Sequence, residues 1–311
     1  MTGKRQPAVV GFHGGELAVQ RQAGVQAKAA QLSRMLGPGK LCESMATFFA
    51  DATFAAINAR EQAGQLWISP LPGQPGFLNA AGPTRLTIHS ALPDQDPLHG
   101  LPDGQPIGLI AVDFAARRRV RINGTLTSTY NGDLVVDVQQ AYGNCPQHIQ
   151  QPHLTAESIS TAGRPNVQWH EVLAPEDIQL IRLADTFFFG TTHPELGNDA
   201  SHRGGPPGFV RADGGGLWWP DYPGNNIFNS FGNLAVDPTA ALLFVDFPTE
   251  RTLHLSGTAA VQWGAPGAAG DDGHTGGRAL FTPKRVAAGR LFVASEIGHD
   301  PDPGHPPLTD N

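Results

Sequence analysis

The chain has 311 residues, of which 40% are hydrophobic, and a formal net charge of −7 with only 21 Lys and Arg residues. This length allows two hydrophobic cores. A duplex nucleic-acid binder needs a basic face to displace counterions from phosphates, so the charge argues against that class. No apolar run approaches the ~18 residues of a membrane span, and the N-terminus lacks a signal segment. We therefore expect a soluble, cytoplasmic protein without a membrane partner.

The first half of the chain begins with helical patterns and continues with extended ones. Apolar spacing predicts a helix over residues 21–36, ended by Gly37-Pro38-Gly39, and a second short helix over residues 40–50. Short runs separated by turn residues then predict strands at 53–58, 65–69, 76–79, 86–89, 107–114, 119–127 and 134–138. Strands of this number and length favour a small antiparallel barrel.

The second half follows the same order. A helix is predicted over 175–183, with Pro at its start and Glu176 and Asp177 in its first turn. The predicted strands of this half are 186–192, 208–212, 217–220, 241–247 and 251–262. The Gly-rich segment 264–277 is interpreted as a mobile loop, and the Pro-rich tail after His299 is expected to be disordered.

Two sequence matches relate the halves. Gly76-Phe77-Leu78 returns as Gly208-Phe209-Val210, and Leu109–Phe114 returns as Leu242–Phe247, with offsets that differ by a single position. This period is far above the roughly 20 to 50 residues of solenoid repeats, so each copy is a domain-sized unit. Two similar units are expected to pair about a two-fold axis. The predicted domains are an arm and helix (1–37), a first copy (38–140), a connecting arm (141–170), a second copy (171–298) and a tail (299–311).

Several segments resemble a known family. Residues 199–210 read Asp-Ala-Ser-His-Arg-Gly-Gly-Pro-Pro-Gly-Phe-Val, and 217–226 read Leu-Trp-Trp-Pro-Asp-Tyr-Pro-Gly-Asn-Asn. With Asn233-Leu234 and Asp237-Pro238 they resemble the pyridoxamine 5'-phosphate oxidase-like, FMN-binding split-barrel superfamily. Residues 12–20 and 141–146 resemble its tandem-barrel, flavin-nucleotide-binding branch.

The resemblance implies a six-stranded split barrel per unit, FMN between two barrels and often redox chemistry. The fold class is therefore expected to be mainly β with flanking helices (α+β), with two tandem split β-barrels forming an intrachain pseudo-dimer.

The same resemblance, read with the chemistry of FMN, gives the candidate site. FMN carries a dianionic phosphate, which an Arg can grip bidentately, and a ring edge that needs hydrogen-bonding partners. Arg203 is the predicted phosphate ligand, and the first copy, with Leu71 at the corresponding position, is expected to be degenerate. The predicted cofactor-binding residues are Ser201, His202, Arg203, Gly204, Trp218, Trp219, Pro220, Tyr222, Asn225, Asn226, Asn229, Asn233 and Arg251.

One departure from the family pattern bears on the phosphate. Family members place a Lys or Arg in the segment that here holds only amides, residues 225–233. A second phosphate contact is therefore expected from Arg251, or from Arg117, Arg119 and Arg121, which alternate along a strand and share a face.

Each assignment has a structural alternative. Arg203 could be a solvated loop residue, and the Asn cluster could serve turns and caps. At least one of Trp218 and Trp219 is expected in the core, and Arg117 to Arg121 could protect an exposed strand edge.

The sequence therefore favours an FMN-dependent oxidoreductase acting on an unknown small molecule. The alternative is a non-catalytic flavin- or haem-binding carrier, and no catalytic residue can be named. No metal is predicted, because His193, His202 and His254 lack ligand spacing. Cys42 and Cys145 lack a CxxC partner, so no disulfide is predicted, and Cys145 is treated as a packing or substrate-side residue. Pairing of two chains into a homodimer is left open.

Overall fold

The helices are few and short. The computed structural model describes residues 11–37, 39–130, 132–144, 146–160, 166–290, 293–300 and Leu308. The described helices are α1 (Gly14–Gln22), α2 (Gln26–Ala30), α3 (Glu43–Asp51), α4 (Pro175–Leu183) and α5 (Asn229–Leu234), with a 3₁₀ turn at Ser33–Leu36.

Of the helices predicted from the sequence, one is divided in the structure and another has its predicted bounds. The helix predicted over 21–36 is wrong as a single element, because Gly24 has a φ of +69° and breaks it into α1, α2 and the 3₁₀ turn. Helix α4 has the predicted bounds.

Seven antiparallel strands form the first barrel. They are β1 (Phe54–Arg60), β2 (Leu66–Pro72), β3 (Leu78–Ala80), β4 (Arg85–Ile88), β5 (Pro106–Asp113), β6 (Arg118–Tyr130) and β7 (Asp133–Gly143). Their order in the sheet is β2-β1-β5-β6-β7-β4-β3. Each predicted strand of this half has a counterpart.

The connecting segment also contributes strands. It contains β8 (Gln151–Ser160) and β9 (Asn166–His170). Strand β8 pairs with β17 (Val293–Asp300), and β9 pairs with a strand of the second barrel. Strand β17 thus includes His299 and Asp300, which the predicted tail contained, and Leu308 packs against the second core. Cys145 and the rest of the tail lie outside the described residues.

The second barrel has the same topology. Its strands are β10 (Thr186–His193), β11 (Gly197–Gly204), β12 (Arg211–Asp213), β13 (Gly216–Pro220), β14 (Thr239–Asp246), β15 (Arg251–Trp263) and β16 (Gly277–Arg290). Their order is β11-β10-β14-β15-β16-β13-β12, and β9 adds to β16. The expected mainly β fold with two split barrels is therefore confirmed.

Strand register makes the two barrels comparable residue by residue. Leu71 lies opposite Ala55 as Arg203 lies opposite Phe187, with the offset that relates Gly76 to Gly208. Asp113 pairs with Arg118 as Asp246 pairs with Arg251, with the offset that relates the second sequence match. The correspondence of Leu71 with Arg203 that the sequence suggested therefore holds in the pairing of the strands.

Strands β11 and β16 were missed from the sequence. In β16, Pro283 interrupts the pattern, yet β16 lies between β15 and β13. The ladder shifts register between Ser256 and Gly257, where Pro283 lies opposite Gly257. A bulge tolerates Pro because the ladder hydrogen bond is already lost there. A Cβ at Gly257 would lie 2.1 Å from the carbonyl oxygen of Thr282, so glycine is needed at this position.

Each barrel has its own apolar core, and a third cluster joins them. The joining cluster includes Phe54 and Ile110 of the first barrel and Phe188 and Leu243 of the second. Asn58 is buried at this junction, where its Nδ2 donates to the carbonyl oxygens of Thr191 (2.9 Å) and Asp199 (2.8 Å). The inner strands of the two barrels are therefore fixed against each other by apolar packing and by one buried amide.

The segment 264–277 has internal hydrogen bonds. The Asp271 carboxylate accepts from the backbone N–H groups of Gly267 (2.8 Å) and Gly276 (2.9 Å). Asp272 is buried and forms an ion pair with Arg211 at 2.8 Å. In the described part of the chain, no helix is long and apolar enough to cross a bilayer.

Replacing Asn58 with Ala should weaken the junction between the barrels. The carbonyl oxygens of Thr191 and Asp199 would lose a buried donor, which costs about 1–3 kcal/mol. Denaturant unfolding should show this loss, whereas N79A, on the exposed face of β3, should change the free energy of unfolding by less than about 0.5 kcal/mol. Equal stability of N58A and N79A would contradict the role given to Asn58.

Candidate functional site

A cavity of about 330 Å³ lies where the two barrels meet. Strand β6 of the first barrel lines it on one side, and β11, the end of β13 and residues 221–230 of the second barrel line it on the other. Residues 144–148 of the connecting segment and 274–275 of the Gly-rich loop complete the wall. The volume is at the lower end of the ~300–1,000 Å³ that is usual for small-molecule sites.

Arg203 is the central cation of this cavity. It lies within strand β11, not in a loop, because the preceding residues pair along β10. Its guanidinium lies over the rings of Phe231 (5.2 Å to the centroid) and Phe189 (5.8 Å). Within the described residues it makes no hydrogen bond or ion pair, and its buried Nε has no acceptor. The interpretation of Arg203 as a solvated loop residue is therefore wrong.

The electrostatic surroundings of Arg203 favour an anion. Burial lowers the pKa of its guanidinium, and the nearby Asp221 carboxylate opposes this effect. An Arg side chain nonetheless stays charged in proteins. A desolvated cation without a close anionic partner is unfavourable, so this position is energetically suited to receive an anion from solution.

Two further arginines reach the cavity from the first barrel. Arg119 and Arg121 share one face of β6, as the alternation of a strand requires. Arg121 is buried and donates through one terminal nitrogen to both Asp199 oxygens (3.0 and 3.1 Å) and to the Tyr142 hydroxyl (3.2 Å). Burial alone would lower the pKa of Arg121, but Asp199 and Tyr142 raise it. The positive charge of Arg121 is thus compensated by the Asp199 carboxylate.

Arg119 fixes the tautomer of His202. Its terminal nitrogen lies 2.8 Å from His202 Nδ1. Because Arg can only donate, Nδ1 must be the acceptor and Nε2 must carry the hydrogen. Burial, with Arg119 and Arg203 nearby, holds the pKa of His202 well below its usual value. His202 therefore contributes a neutral ring to the site.

Asp221 is the acidic residue with the strongest electrostatic effect on Arg203. It follows β13, is 5% exposed, and its backbone oxygen accepts from the Thr275 hydroxyl at 2.8 Å. Burial raises the pKa of its carboxyl to about 6, against the attraction of Arg203. Near neutral pH this carboxyl is close to its own titration.

The asparagines combine structural and lining roles. Asn225 Oδ1 accepts from the Ile227 N–H at 3.1 Å, and its Nδ2 donates to Asn144 Oδ1 at 3.2 Å. Asn226 has a left-handed φ of +61°. Both line the cavity, as does Asn229, which binds Glu16 and Arg121. The same residues therefore make turn contacts and line the cavity.

Most of the predicted cofactor residues line this cavity. They are Ser201, His202, Arg203, Gly204, Trp219, Pro220, Tyr222, Asn225, Asn226 and Asn229.

Three predicted residues lie elsewhere. Trp218 points to the outer face, where Arg211 (4.6 Å) and Arg278 (5.4 Å) flank its ring, while Trp219 points inward from the next position. Asn233 donates to the Thr191 hydroxyl at 3.0 Å and lines a separate, smaller cavity. The placement of Trp218 follows from strand alternation, and that of Asn233 from its position near the end of α5.

Arg251 is also outside the cavity, which corrects its prediction as a phosphate contact. It binds the Asp177 carboxylate at 2.7 Å and the Glu176 carbonyl, both at the start of α4. By strand register Arg251 corresponds to Arg118, not to Arg119 or Arg121, and therefore stands at a different position along its strand.

The sequence did not identify several lining residues. They are Ala23, Val25, Asn144, Gln147, His148, Phe209, Asp221, Ser230, Pro266, His274 and Thr275. Four residues of the wall, His148, Asn226, Phe228 and His274, have φ between +55° and +64°. Such strained backbone is over-represented at ligand sites, but a single sequence gives little sign of it outside Asn.

The corresponding position in the first barrel is filled. Trp67 and Leu71 occupy the places of Asp199 and Arg203, and His254 occupies that of Arg121. All three are fully buried. His254 Nδ1 donates to the Ile68 carbonyl at 2.9 Å, and burial lowers its pKa to about 4. This half of the junction offers packed, uncharged side chains where the other half offers guanidinium groups.

Among the described residues, no group of three or more His, Cys, Asp or Glu side chains is arranged to hold a metal ion.

Comparison with known proteins finds a family match within the second barrel. Residues 173–269 match the family model described as pyridoxamine 5'-phosphate oxidase. The resemblance to the pyridoxamine 5'-phosphate oxidase-like superfamily is therefore confirmed, on a segment that contains Arg203 and most of the cavity wall. No curated protein matches the chain.

Solved structures of low identity are also similar. HupZ of Group A Streptococcus is 14% identical, with 41% of this chain and 100% of that chain covered and a TM-score of 0.32. A putative pyridoxamine 5'-phosphate oxidase of Lactobacillus delbrueckii is 13% identical, covering 37% and 93%, with a TM-score of 0.30. HutZ, the haem storage protein of Vibrio cholerae, is 14% identical, covering 36% and 91%, with a TM-score of 0.28.

Exchanging the two equivalent positions should affect stability in opposite ways. R203L should leave the free energy of unfolding of the ligand-free protein unchanged or raised, because replacing a desolvated charge by an apolar group is often neutral or stabilising. L71R should lower it by about 2 kcal/mol or more, because it puts an unpaired guanidinium into a packed core. Denaturant unfolding of both variants is the test. Strong destabilisation by R203L would show that Arg203 is structural.

Proposed function

We propose, on the premise that the second barrel is of the pyridoxamine 5'-phosphate oxidase type, that the cavity between the barrels binds one FMN and that the protein is a flavin-dependent oxidoreductase for a small molecule. The observation that carries this proposal is Arg203, a guanidinium without an acceptor in the described structure, facing a cavity that a second cation, Arg119, also lines. The equal strand order of the barrels also supports an origin by internal duplication.

The charge balance supports a phosphate ester. Asp199 forms an ion pair with Arg121, whereas Arg203 forms no ion pair within the described residues, although the Asp221 and Asp199 carboxylates act on it from nearby. Arg119 donates to a neutral His202 ring and to the backbone oxygens of His202 and Gln147. Two guanidinium charges suit a dianion. Arg119, from the first barrel, supplies the second cation that the amide-rich segment 225–233 lacks.

The other lining groups suit the rest of a flavin. Donor atoms without partners in the described structure are the Trp219 Nε1 and the Asn144 Nδ2, while Ser201 and Ser230 contribute hydroxyl groups. Phe209 and Phe228 offer apolar faces to a flat ring. The residues present therefore fit a ligand that combines an anion, acceptor-rich edges and an aromatic plane.

When bound, a flavin supplies hydride- and electron-transfer chemistry, and the chain supplies binding and orientation. Arg203 and Arg119 would hold the anionic end, and the aromatic wall would exclude water from the ring. The Asp221 carboxyl, with its pKa near 6, can hold or release a proton beside Arg203 at neutral pH.

A second candidate is a carrier that binds flavin without turnover. The small cavity volume favours it, because about 330 Å³ leaves little room for a second molecule beside a flavin.

Titration with FMN, followed by fluorescence quenching, tests the binding proposal. The wild-type chain should bind one FMN per chain, since the first-barrel position is filled, and should bind riboflavin at least about tenfold more weakly because it lacks the phosphate. R203Q should weaken FMN binding by about tenfold or more, as expected for the loss of a hydrogen bond to a charged group.

R85Q is the matched control for R203Q. Arg85 has a 58% exposed side chain that pairs with Asp137 at 3.7 Å, away from the cavity. Its FMN affinity should stay within about twofold of wild type. A colourless protein that binds no added FMN, or R203Q binding equal to R85Q, would overturn the proposal.

Anaerobic mixing of the FMN-loaded protein with reduced nicotinamide separates the enzyme from the carrier. An oxidoreductase that accepts this donor should lose its visible flavin absorbance in seconds, as turnover numbers of about 10 per second imply. A carrier should keep its colour with NADH and NADPH alike, while chemical reduction by dithionite still bleaches it. Persistent colour with both nicotinamides would favour the carrier.

A further inference from the structure

A second cavity of about 70 Å³ adjoins the ligand cavity, and Glu16 of α1 lines it. Its lining is almost wholly polar, with Glu16, Asn123, Gln140 and Asn233 among its residues. Asn229 lines both cavities, and Asp199, which lines the second, binds the Arg121 guanidinium of the first, so these residues form the wall between them.

Glu16 of α1 is bound to this wall. It is 2% exposed, and its Oε1 accepts from Asn229 Nδ2 at 3.0 Å. Asn229 Oδ1 in turn accepts from Arg121 at 3.1 Å. A chain of hydrogen bonds therefore links the α1 carboxyl to a guanidinium that faces the ligand cavity.

The position of Glu16 is tightly determined. Its Oε2 accepts from the His13 backbone N–H at 2.8 Å, which closes a capping box at the start of α1. Helix α1 packs closely on α5, where a Cβ at Gly15 would lie 2.1 Å from the Gly232 carbonyl oxygen. The residues 12–20 that resembled the family thus hold a carboxyl against the ligand wall.

The carboxyl of Glu16 changes its charge near neutral pH. Burial raises the pKa of its carboxyl to about 7, with a further increase from Asp199, while the Asn229 hydrogen bond and Arg121 oppose the shift. His13 lies beside it, with Nε2 3.7 Å from Glu16 Oε2, and the His193 ring packs on His13. Burial lowers the pKa of His13 to about 4, so His13 is neutral at pH 7. Glu195 is the remaining acidic side chain of the second cavity.

We propose that Glu16 is a positioning residue of the ligand cavity: it holds Asn229 and Arg121 in the wall between the cavities, and its protonation makes the affinity for a phosphate-bearing ligand depend on pH. This inference rests on the proposed FMN site. Protonated Glu16 leaves Arg121 and Asp199 as a neutral pair, whereas ionised Glu16 adds a negative charge behind them. Anion affinity should therefore fall as pH rises through about 7, and a bound anion should in turn favour the protonated carboxyl.

FMN titrations of wild type and E16Q at pH 6 and pH 8 test this inference. The second ionisation of the FMN phosphate is common to both proteins, so the ratio between them isolates Glu16. The wild-type dissociation constant should increase about fivefold more than that of E16Q over this range. A residue with only a structural role would lower the melting temperature of E16Q and leave this ratio at one.

Two further variants complete the test. E195Q removes an exposed carboxylate of the same cavity that does not take part in the hydrogen-bond chain through Asn229, and it should keep the wild-type pH dependence. E16D keeps a carboxyl but withdraws it from Asn229, so it loses the hydrogen bond that favours the ionised form, and its pH midpoint should move up by about one unit. This variant decides the question if E16Q fails to fold.

The outcomes are distinguishable. Wild-type FMN binding with equal pH ratios in wild type and E16Q, or an unshifted midpoint in E16D, would overturn the role of Glu16 alone. Absence of FMN binding by the wild-type protein at both pH values would overturn the proposed function and this inference with it.

Discussion

The guanidinium of Arg203 faces the cavity between two barrels without a protein acceptor in the described structure, and this arrangement constrains the rest of the site. A desolvated cation is costly unless a partner compensates it. Aromatic rings surround this guanidinium, and the Asp221 carboxyl lies near enough to attract it without forming a close ion pair. Burial raises the pKa of that carboxyl. If the cavity binds an anion as proposed, folding stability and ligand affinity make opposite demands on this position.

The two barrels are alike in topology and unlike at the equivalent positions of their junction. In one half, Asp199, Arg203 and Arg121 leave an open polar cavity, and in the other, Trp67, Leu71 and His254 fill the space. A symmetric pair would have to use the same residues for packing and for binding. When the units are joined in one chain, one side of the junction can pack the barrels together while the other holds the partly buried arginines.

The wall of the cavity depends on segments outside both barrels. Helix α1 supplies Glu16 behind Asn229, the connecting segment supplies His148, and the Gly-rich loop supplies Thr275. The left-handed backbone at His148 and His274 shows that these segments are held in uncommon conformations by their surroundings. Rigid strands thus place the cations, and the outer segments determine the shape and local charge of the space around them.

The sequence by itself determined the strand-rich architecture, helix α4 and the contrast between Leu71 and Arg203, because alternation and turn residues are local properties. It missed β16, where Pro283 obscures a strand that a bulge tolerates. Arg119 and Arg121 line the cavity whereas Arg251 binds Asp177, and Trp218 points outward. These placements follow from strand faces and cross-barrel register. Only the tertiary structure decided these, because they depend on which residues distant in sequence face the same cavity, and burial there sets their charge.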